Sequence, residues 1–172
     1  EIGSIYIPQA TWHDEPVVIE KQDGSLWCLT CSNTGYLTES YSYDGGKTWT
    51  VGRQTKIENP ASRFAITRLA SGKLIMVSNS STYNTIGMVV AVSSDDGDTW
   101  EEKLCLFDGY ASYPTIALDN STGKEQIHVV FDDGRYYHGQ WRTGVEEGTK
   151  YEYYADIYHD VLTEADIMAG GD

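Results

Sequence analysis

The sequence is poor in cysteine and proline and has no long hydrophobic stretch. Its 172 residues include only three cysteines and four prolines. A small, odd number of cysteines does not build a disulfide framework. No run approaches the roughly 18 apolar residues of a membrane-spanning helix. These shortages exclude disulfide-stapled miniproteins and helical membrane proteins, and they favour a globular domain with its own core.

Positive charge is also scarce. Twelve Lys and Arg residues face 26 Asp and Glu residues, which gives a formal net charge of -14 at pH 7. Such a chain is repelled by phosphate backbones and by anionic membrane surfaces. We therefore expect neither nucleic acid nor a membrane as a partner, and an anionic sugar is a poor electrostatic match.

The cysteines offer one short motif, Cys28-Leu-Thr-Cys31, which has the spacing of a redox pair or of half a zinc site. No second cysteine pair or nearby histidine pair accompanies it. The surrounding LWCLTC has the composition of a strand, which would point residues three apart to opposite faces. The four histidines also lack metal-site spacing. The sequence predicts no metal and no cofactor.

What is abundant points to β-structure. Thirteen tyrosines, five tryptophans and 17 glycines are typical of strands joined by tight turns. Two octapeptides, 42–49 and 93–100, both read S-x-D-x-G-x-T-W and lie 51 residues apart. A repeat of this length is typical of arrays and propellers.

Other landmarks recur in phase with these two Asp-boxes. Gly24, Gly72 and Gly123 each open an apolar strand, and four strands fit into each unit of about fifty residues. The sequence predicts a single all-β domain over 1–172, a partial propeller with blades at about 11–58, 59–110 and 111–160. The third unit lacks an Asp-box and carries an insertion at 135–150. Thr163-Glu-Ala-Asp166 predicts the start of a short C-terminal helix.

The Asp-boxes have a structural explanation. Asp44 and Asp95 can accept hydrogen bonds from turn amides, while Gly46 and Gly97 can adopt positive φ. Their tryptophans can fill the apolar space of a blade. Asp95-Asp-Gly-Asp98 is weakly similar to a calcium loop, but it lacks the twelve-residue length and the closing glutamate. The boxes indicate a fold and leave the function open.

Together these features resemble the C-terminal half of sialidase-like Asp-box (BNR repeat) proteins over essentially the whole chain. The resemblance implies a six-bladed β-propeller whose glycosidases retain configuration. They use a tyrosine nucleophile activated by a glutamate, an aspartate acid/base and three arginines that bind the substrate carboxylate. It also favours an extracellular or periplasmic protein. The matching stretches are 14–24, the two Asp-boxes, 59–64, 112–114, 130–135, 155–157 and 162–170.

The resemblance assigns candidate site residues. Tyr113 falls at the position of the nucleophile and Glu15 at that of its partner, while Arg63 is a candidate contact to the substrate. Each has a plainer alternative: Tyr113 as a packing residue, Glu15 as a solvated loop residue, and Arg63 as a brace between blades. Asp14 is only a candidate for the acid/base.

The arginines of the family are not matched. Two should lie shortly before Asp-boxes, but 30–39 and 83–88 contain none. An unpaired substrate carboxylate in a desolvated pocket is costly. The leading hypothesis is a sialidase-like glycoside hydrolase module acting on a terminal sugar. The alternative is a carbohydrate-binding or interaction propeller without catalysis, and a neutral-sugar or uronic-acid glycosidase lies between the two.

Three blades cannot close a ring, because two sheet edges and two apolar faces would remain open. We expect the chain either to be part of a longer protein or to form a homodimer that completes six blades. In the insertion, Tyr136, Tyr137 and Trp141 could stack on sugar rings or anchor the loop, and the sequence does not decide between these roles.

Overall fold

Antiparallel strands joined by short turns make up nearly all of the regular structure. The computed structural model describes residues 3–8, 10, 12–133 and 156–170, with the backbone only for His13. The insertion at 135–150, with its three aromatic residues and His138, lies outside the described residues. Ten strands and one helix are present in this part of the chain: β1 His13–Glu20, β2 Leu26–Ser32, β3 Tyr36–Ser42, β4 Arg53–Glu58, β5 Ala65–Arg68, β6 Leu74–Asn79, β7 Ile86–Ser93, β8 Glu101–Asp119, β9 Gln126–Asp133, β10 Ile157–Leu162 and α1 Glu164–Ala169.

The strands form two sheets that divide into three blades. The first blade is the sheet β1-β2-β3-β4, and the second sheet has the order β10-β9-β8-β7-β6-β5. Strand β8 is 19 residues long and serves two blades. Up to Tyr110 it pairs with β7 as the outer strand of blade 2, and from Ala111 it pairs with β9 as the inner strand of blade 3. The propeller architecture predicted from the repeats is therefore present.

Each blade buries one face against its neighbour. Two apolar clusters result, one between blades 1 and 2 and one between blades 2 and 3. Burial of each large aliphatic or aromatic side chain stabilises the fold by roughly 1.5–3 kcal/mol. The blade 1–2 cluster is Trp27, Leu29, Cys31, Leu37, Phe64, Ile66, Leu74 and Met76. The blade 2–3 cluster includes Leu69, Ile75, Val77, Met88, Val90, Val92, Ile127, Val129, Phe131 and Ile167.

The Asp-boxes have the structural role predicted for them. The Asp44 carboxylate accepts hydrogen bonds from the backbone N–H groups of Lys47 and Thr48, at 3.0 and 2.9 Å, and from the Thr48 hydroxyl at 2.6 Å. These bonds lower the pKa of Asp44 to about 2, and the equivalent bonds of Asp95 have the same effect on its pKa. Gly46 and Gly97 have φ values of 86° and 95°. The carboxylates thus hold the turns.

The second Asp-box also joins two blades. Its Asp96 accepts a hydrogen bond from the backbone N–H of Gln22 in the β1–β2 turn, at 2.9 Å, and forms an ion pair with Arg68. Lys21 in the same turn lies 3.5 Å from Asp98. The turn of blade 1 is therefore fixed against the box of blade 2, which sets the relative orientation of the two sheets.

The C-terminal helix begins as predicted. Thr163 and Asp166 form a reciprocal capping box, in which the Thr163 hydroxyl accepts from the Asp166 N–H and the Asp166 carboxylate accepts from the Thr163 N–H. Ile167 is fully buried in the blade 2–3 cluster, and Glu164 lies 2.6 Å from Lys73. The helix therefore packs against blades 2 and 3.

The cysteines are free. Cys28 and Cys31 are both buried, and only Cys31 belongs to the blade 1–2 cluster. Burial raises the pKa of Cys28 to about 11 and is the main cause that raises the pKa of Cys31 to about 12. Both thiols are therefore neutral near pH 7. No helix in the described ranges is long and apolar enough to cross a membrane.

A glycine substitution tests the contact between the second Asp-box and blade 1. A Cβ added to Gly97 would lie 2.6 Å from the Trp27 ring, whereas one added to the matching Gly46 would lie 3.5 Å from its nearest neighbour. Both glycines have positive φ, so alanine costs roughly 1–2 kcal/mol of backbone strain at either site. We expect Gly97→Ala to lower the free energy of unfolding by about 1–3 kcal/mol more than Gly46→Ala does, because that is the usual cost of overpacking. Urea unfolding of both variants measures the difference, and equal losses would contradict the contact.

Candidate functional site

The starts of the inner strands of the three blades lie at one end of the sheets. In blade 1 the start of β1 pairs with the end of β2, and the start of β3 pairs with the end of β4. The Asp-box turns therefore lie at the opposite end. We call the end at which the inner strands begin the entry end. It comprises the connections that lead into β1, into β5 and into the second half of β8. It also includes the β2–β3 and β6–β7 turns. A Cβ added to Gly35 would lie 3.3 Å from the Thr82 carbonyl oxygen, so the turns of neighbouring blades lie close together there.

Glu15 lies at the entry end of blade 1 in a strained backbone conformation. Its φ is 51°, and the pairing of β1 with β2 is irregular between Asp14 and Val17. A left-handed backbone costs a non-glycine residue roughly 1–2 kcal/mol. The Asp14 carboxylate accepts a hydrogen bond from the Glu15 N–H at 2.8 Å, and the Cys31 thiol lies 3.3 Å from the Asp14 carbonyl and 3.6 Å from the Glu15 carboxylate, both of which can accept its proton. These contacts hold Glu15 in this conformation.

Tyr113 lies at the matching place in blade 3 and has the same backbone conformation. Its φ is 54°, and the pairing of β8 with β9 is irregular between Ser112 and Thr115. The Ser112 hydroxyl donates to the Asp132 carboxylate at 2.6 Å. The Tyr113 side chain is 43% exposed. Strained backbone of this kind is concentrated at functional sites, because a fold retains it only where the surroundings enforce it.

The segment before Tyr113 is fixed by blade 2. The Asn79 side-chain amide donates to the Ala111 carbonyl at 2.9 Å, and the Ala111 N–H donates to the Thr85 carbonyl at 2.9 Å. Asn79 and Thr85 are buried at the two sides of the β6–β7 turn. The loop of one blade therefore positions the site residue of the next.

Arg63 occupies the entry connection of blade 2. It is exposed, two residues before the start of β5, and forms no ion pair with a described residue. The same connection contains Ala61, whose φ is 58°. Asn59 is buried and bonds Ser62 through both side-chain atoms, at 2.9 and 3.0 Å. A bracing role of Arg63 between blades receives no support from these contacts.

Exposed aromatic rings are concentrated at the entry end. Tyr83 in the β6–β7 turn is 89% exposed, and Trp12, Tyr110 and Tyr113 are also substantially exposed. Aromatic faces of this kind pack against the C–H faces of sugar rings. The entry end thus has the side chains of a carbohydrate-binding surface.

The described residues of the entry end carry a negative charge. Arg63 is the one cation among the described residues of its turns, connections and strand termini. The nearest lysine, Lys56, lies two residues before the end of β4. Six described carboxylates lie at the same end: Asp14, Glu15, Glu58, Asp132, Asp133 and Asp156. An anionic ligand would meet repulsion here.

The structure adds features that the sequence did not predict. The left-handed conformations of Glu15 and Tyr113 have only a weak sequence signal, the proline that follows each residue. The Cys31 thiol contact depends on the pairing of β1 with β2, whereas the sequence motif indicates only a strand or, as the alternative, a redox or zinc pair. His128 Nδ1 and His159 Nε2 lie 3.0 Å apart across neighbouring strands. Within the described ranges, no group of three or more potential ligands could hold a metal ion.

The family comparison places most of the chain in one repeat family. Residues 6–129 match the model of the BNR repeat-like domain. Comparison with curated protein sequences gives no match.

Solved structures share the fold at low sequence identity. The intramolecular trans-sialidase from Ruminococcus gnavus, in complex with oseltamivir carboxylate, is 14% identical with a TM-score of 0.63; the alignment covers 94% of this chain and 34% of that one. The leech intramolecular trans-sialidase, complexed with 2,7-anhydro-Neu5Ac, is 16% identical with a TM-score of 0.65 and coverages of 90% and 24%. An α-L-arabinofuranosidase from Fusarium graminearum, in complex with an iminosugar inhibitor, is 16% identical with a TM-score of 0.59 and coverages of 88% and 45%. The chain spans less than half the length of each of these proteins.

Backbone strain at Glu15 can be measured directly. We expect Glu15→Gly to raise the free energy of unfolding, by up to about 1 kcal/mol, because glycine adopts positive φ without strain. The matched control is Glu20→Gly near the other end of the same strand, where glycine should cost about 0.5–1 kcal/mol. Denaturant unfolding gives both values. A loss at Glu15 as large as that at Glu20 would show that the left-handed conformation stores no strain.

Proposed function

The chain belongs to the BNR repeat-like domain family, and we propose that it is the module of a glycoside hydrolase that acts on a terminal sugar of a glycan. The fold is a glycoside-hydrolase-like propeller, shared with sialidases and an arabinofuranosidase. The observation that carries the proposal is the pair Glu15 and Tyr113. Both sit at irregular pairings where inner strands begin, and both have positive φ at equivalent places in blades 1 and 3. Ala61 has positive φ in the connection of blade 2, so the strain belongs to the scaffold, and the support for a functional role is that blades 1 and 3 place a carboxylate and a phenol there.

In this proposal Tyr113 is the nucleophile and Glu15 its partner base. Glu15 accepts the phenolic proton while the Tyr113 oxygen attacks the anomeric carbon and the bond to the leaving oxygen breaks. The leaving oxygen takes a proton from an acid, for which Asp14 is the candidate in this chain. Water then attacks the anomeric carbon and gives a proton to Asp14, while the bond to the Tyr113 oxygen breaks and the phenol recovers its proton from Glu15, so the configuration is retained. Arg63 contacts sugar hydroxyls or a ring substituent.

The charge of the entry end supports an uncharged sugar. Carboxylates outnumber cations there among the described residues, and the Cys31 thiol next to Glu15 is neutral because burial raises its pKa to about 12. A substrate carboxylate would have Arg63 as its one cationic partner in this part of the chain. An uncharged sugar ring avoids the cost of burying an incompletely paired carboxylate, and it can pack against the exposed aromatic faces.

The same scarcity of cations favours a second candidate function. A propeller that binds glycans without turnover would keep the aromatic surface and the scaffold and would need no acid/base. Saturable glycan binding with no hydrolysis by the intact protein would support this candidate. Turnover that Glu15→Gln abolishes would exclude it.

A covalent trap tests the tyrosine. We expect 2-fluoro glycosyl fluorides of uncharged sugars to label Tyr113, and peptide mass spectrometry locates the adduct. Tyr113→Phe and Glu15→Gln should each lower kcat by at least about 100-fold, since each removes a group of the covalent step. Tyr110→Phe is the matched control, because Tyr110 is a neighbouring exposed tyrosine at the same end. Full activity of Tyr113→Phe would exclude the nucleophile assignment.

A closed ring is the second part of the proposal. The outward face of blade 3 exposes Ile157 and Val161, which a further blade would cover. If two copies complete six blades, light scattering should give twice the 19.2 kDa of one chain. Charged substitutions at Ile157 and Val161 should then return the mass to that of one chain. A monomer at all concentrations would leave only the longer-protein alternative.

A further inference from the structure

A groove runs between the outer halves of blades 1 and 2, away from Glu15 and Tyr113. Its volume is about 780 Å³, and it reaches from Glu58 and Ser80 near the entry end to Gly97 and Asp98 at the Asp-box end. Neighbouring blades diverge towards the outside, so a wedge of space opens beyond the packed core. The volume lies within the range of small-ligand sites, roughly 300–1,000 Å³.

The corresponding wedge between blades 2 and 3 is filled by the chain itself. Helix α1 inserts Ile167 there, and Leu104, Leu106 and Phe107 of β8 pack against the same cluster. No segment of the described residues fills the blade 1–2 groove in this way. The two wedges are built from the same repeat, so the open one is a specific feature of this pair of blades.

The groove has an apolar wall and aromatic edges. Met76, Val89 and Ala91 of blade 2 line one side, and Tyr41 and Trp100 are half-buried beside them. The Tyr41 ring stacks on the fully packed Trp27 ring, with centroids 6.3 Å apart and planes inclined by 14°. These rings are held in place before any ligand arrives, which reduces the entropy lost on binding.

A fixed ion pair supplies polar groups on the opposite wall. Glu39 accepts hydrogen bonds from the Trp27 indole N–H and the Tyr41 hydroxyl, both at 2.9 Å, and from Arg53 Nε at 2.8 Å. The pair with Arg53 raises the pKa of that guanidinium, and burial is the first cause that raises the pKa of Tyr41. Arg53 is largely exposed, so its remaining N–H groups can donate to a ligand.

The charges around the groove exclude an anionic ligand. Four lining residues are carboxylates, and the two lining cations include Arg53, which is already paired with Glu39. Preformed aromatic faces next to fixed hydrogen-bonding groups match a ligand with C–H faces and many hydroxyls. The carboxylates are Glu39, Glu58, Asp98 and Glu102, and the second cation is Lys56.

We propose that the blade 1–2 groove binds a short uncharged oligosaccharide and performs no chemistry on it. The site shares no residue with the Glu15–Tyr113 pair, so it stands whether or not the entry end is catalytic. A glycan held in the groove raises the effective concentration of its branches near the entry end, and binding at both sites gives avidity without any new contact.

Tryptophan indole N–H signals report on the groove and on the entry end separately. The Trp27 and Trp100 indoles lie at the groove, and Trp12 lies at the entry end. Trp49 lies outside the groove lining and is the control for Trp100, because each indole N–H donates to a glycine carbonyl of its own Asp-box at 3.2 Å. Lactose, cellobiose and arabinobiose are titrated into ¹⁵N-labelled full chain, with 3′-sialyllactose as the anionic probe. Single Trp→Phe variants assign the signals.

We expect at least one uncharged disaccharide to shift Trp27 and Trp100 in a saturable manner while Trp49 stays unchanged, and 3′-sialyllactose to bind more weakly. Glu102→Trp narrows the groove from an exposed position and should weaken binding by at least about tenfold. Glu101→Trp, on the opposite face of the same strand, should leave binding unchanged. Saturable shifts confined to Trp12 would overturn the groove proposal but would be compatible with sugar binding at the entry end. The groove proposal would also be overturned if no uncharged probe shifted Trp27 or Trp100.

Discussion

The packing of one blade face against the next is the interaction on which the rest of the structure depends. Each sheet leaves one apolar face that a single blade cannot bury, so the second blade packs on the first and the third on the second. Trp27 shows how tightly this is done, because its ring fills the space that a side chain at Gly97 would need. When the blade faces pack in this way, the starts of the inner strands lie at one end of the sheets, and this alignment creates the entry end.

The entry end concentrates strain that the blades can support. Glu15, Ala61 and Tyr113 all have positive φ, one in the entry connection of each blade. The pairing partners on neighbouring strands enforce these conformations, as the bonds of Ala111 to Asn79 and Thr85 show. The strain turns side chains out of the regular alternation of a strand, and a flexible loop could not hold them so firmly. The scaffold thereby presents a carboxylate and a phenol without a dedicated loop.

The carboxylates of the Asp-boxes differ from those of the entry end in their hydrogen-bond partners. In the Asp-boxes, Asp44 and Asp95 accept hydrogen bonds from the Thr48 and Thr99 hydroxyls and from turn amides, which lower the pKa of both carboxyls to about 2 and give them a structural role. At the entry end, Asp14 and Asp133 each accept one backbone N–H, from Glu15 and Asp156, and the Cys31 thiol lies 3.6 Å from the Glu15 carboxylate. The same negative balance lines the groove between blades 1 and 2. Among the described residues, carboxylates outnumber cations at both surfaces.

The sequence alone determined the fold class, because periodic local signals specify a propeller. The two Asp-boxes, the recurring turn glycines and the Thr163 capping box are short-range features, and each is present in the structure. The positions of Glu15, Arg63 and Tyr113 in their blades also followed from the repeat and from family resemblance. Their roles in catalysis remain predictions.

Tertiary structure decided what lies beside these residues. The Cys31–Glu15 contact, the His128–His159 pair and the open groove depend on strand register and on how far neighbouring blades diverge. A one-residue change of register would turn each side chain to the other face, so no local pattern determines them. Tertiary structure also decides how strand β8 is shared. The packing of blades 2 and 3 places the change of pairing partner, from β7 to β9, between Tyr110 and Ala111.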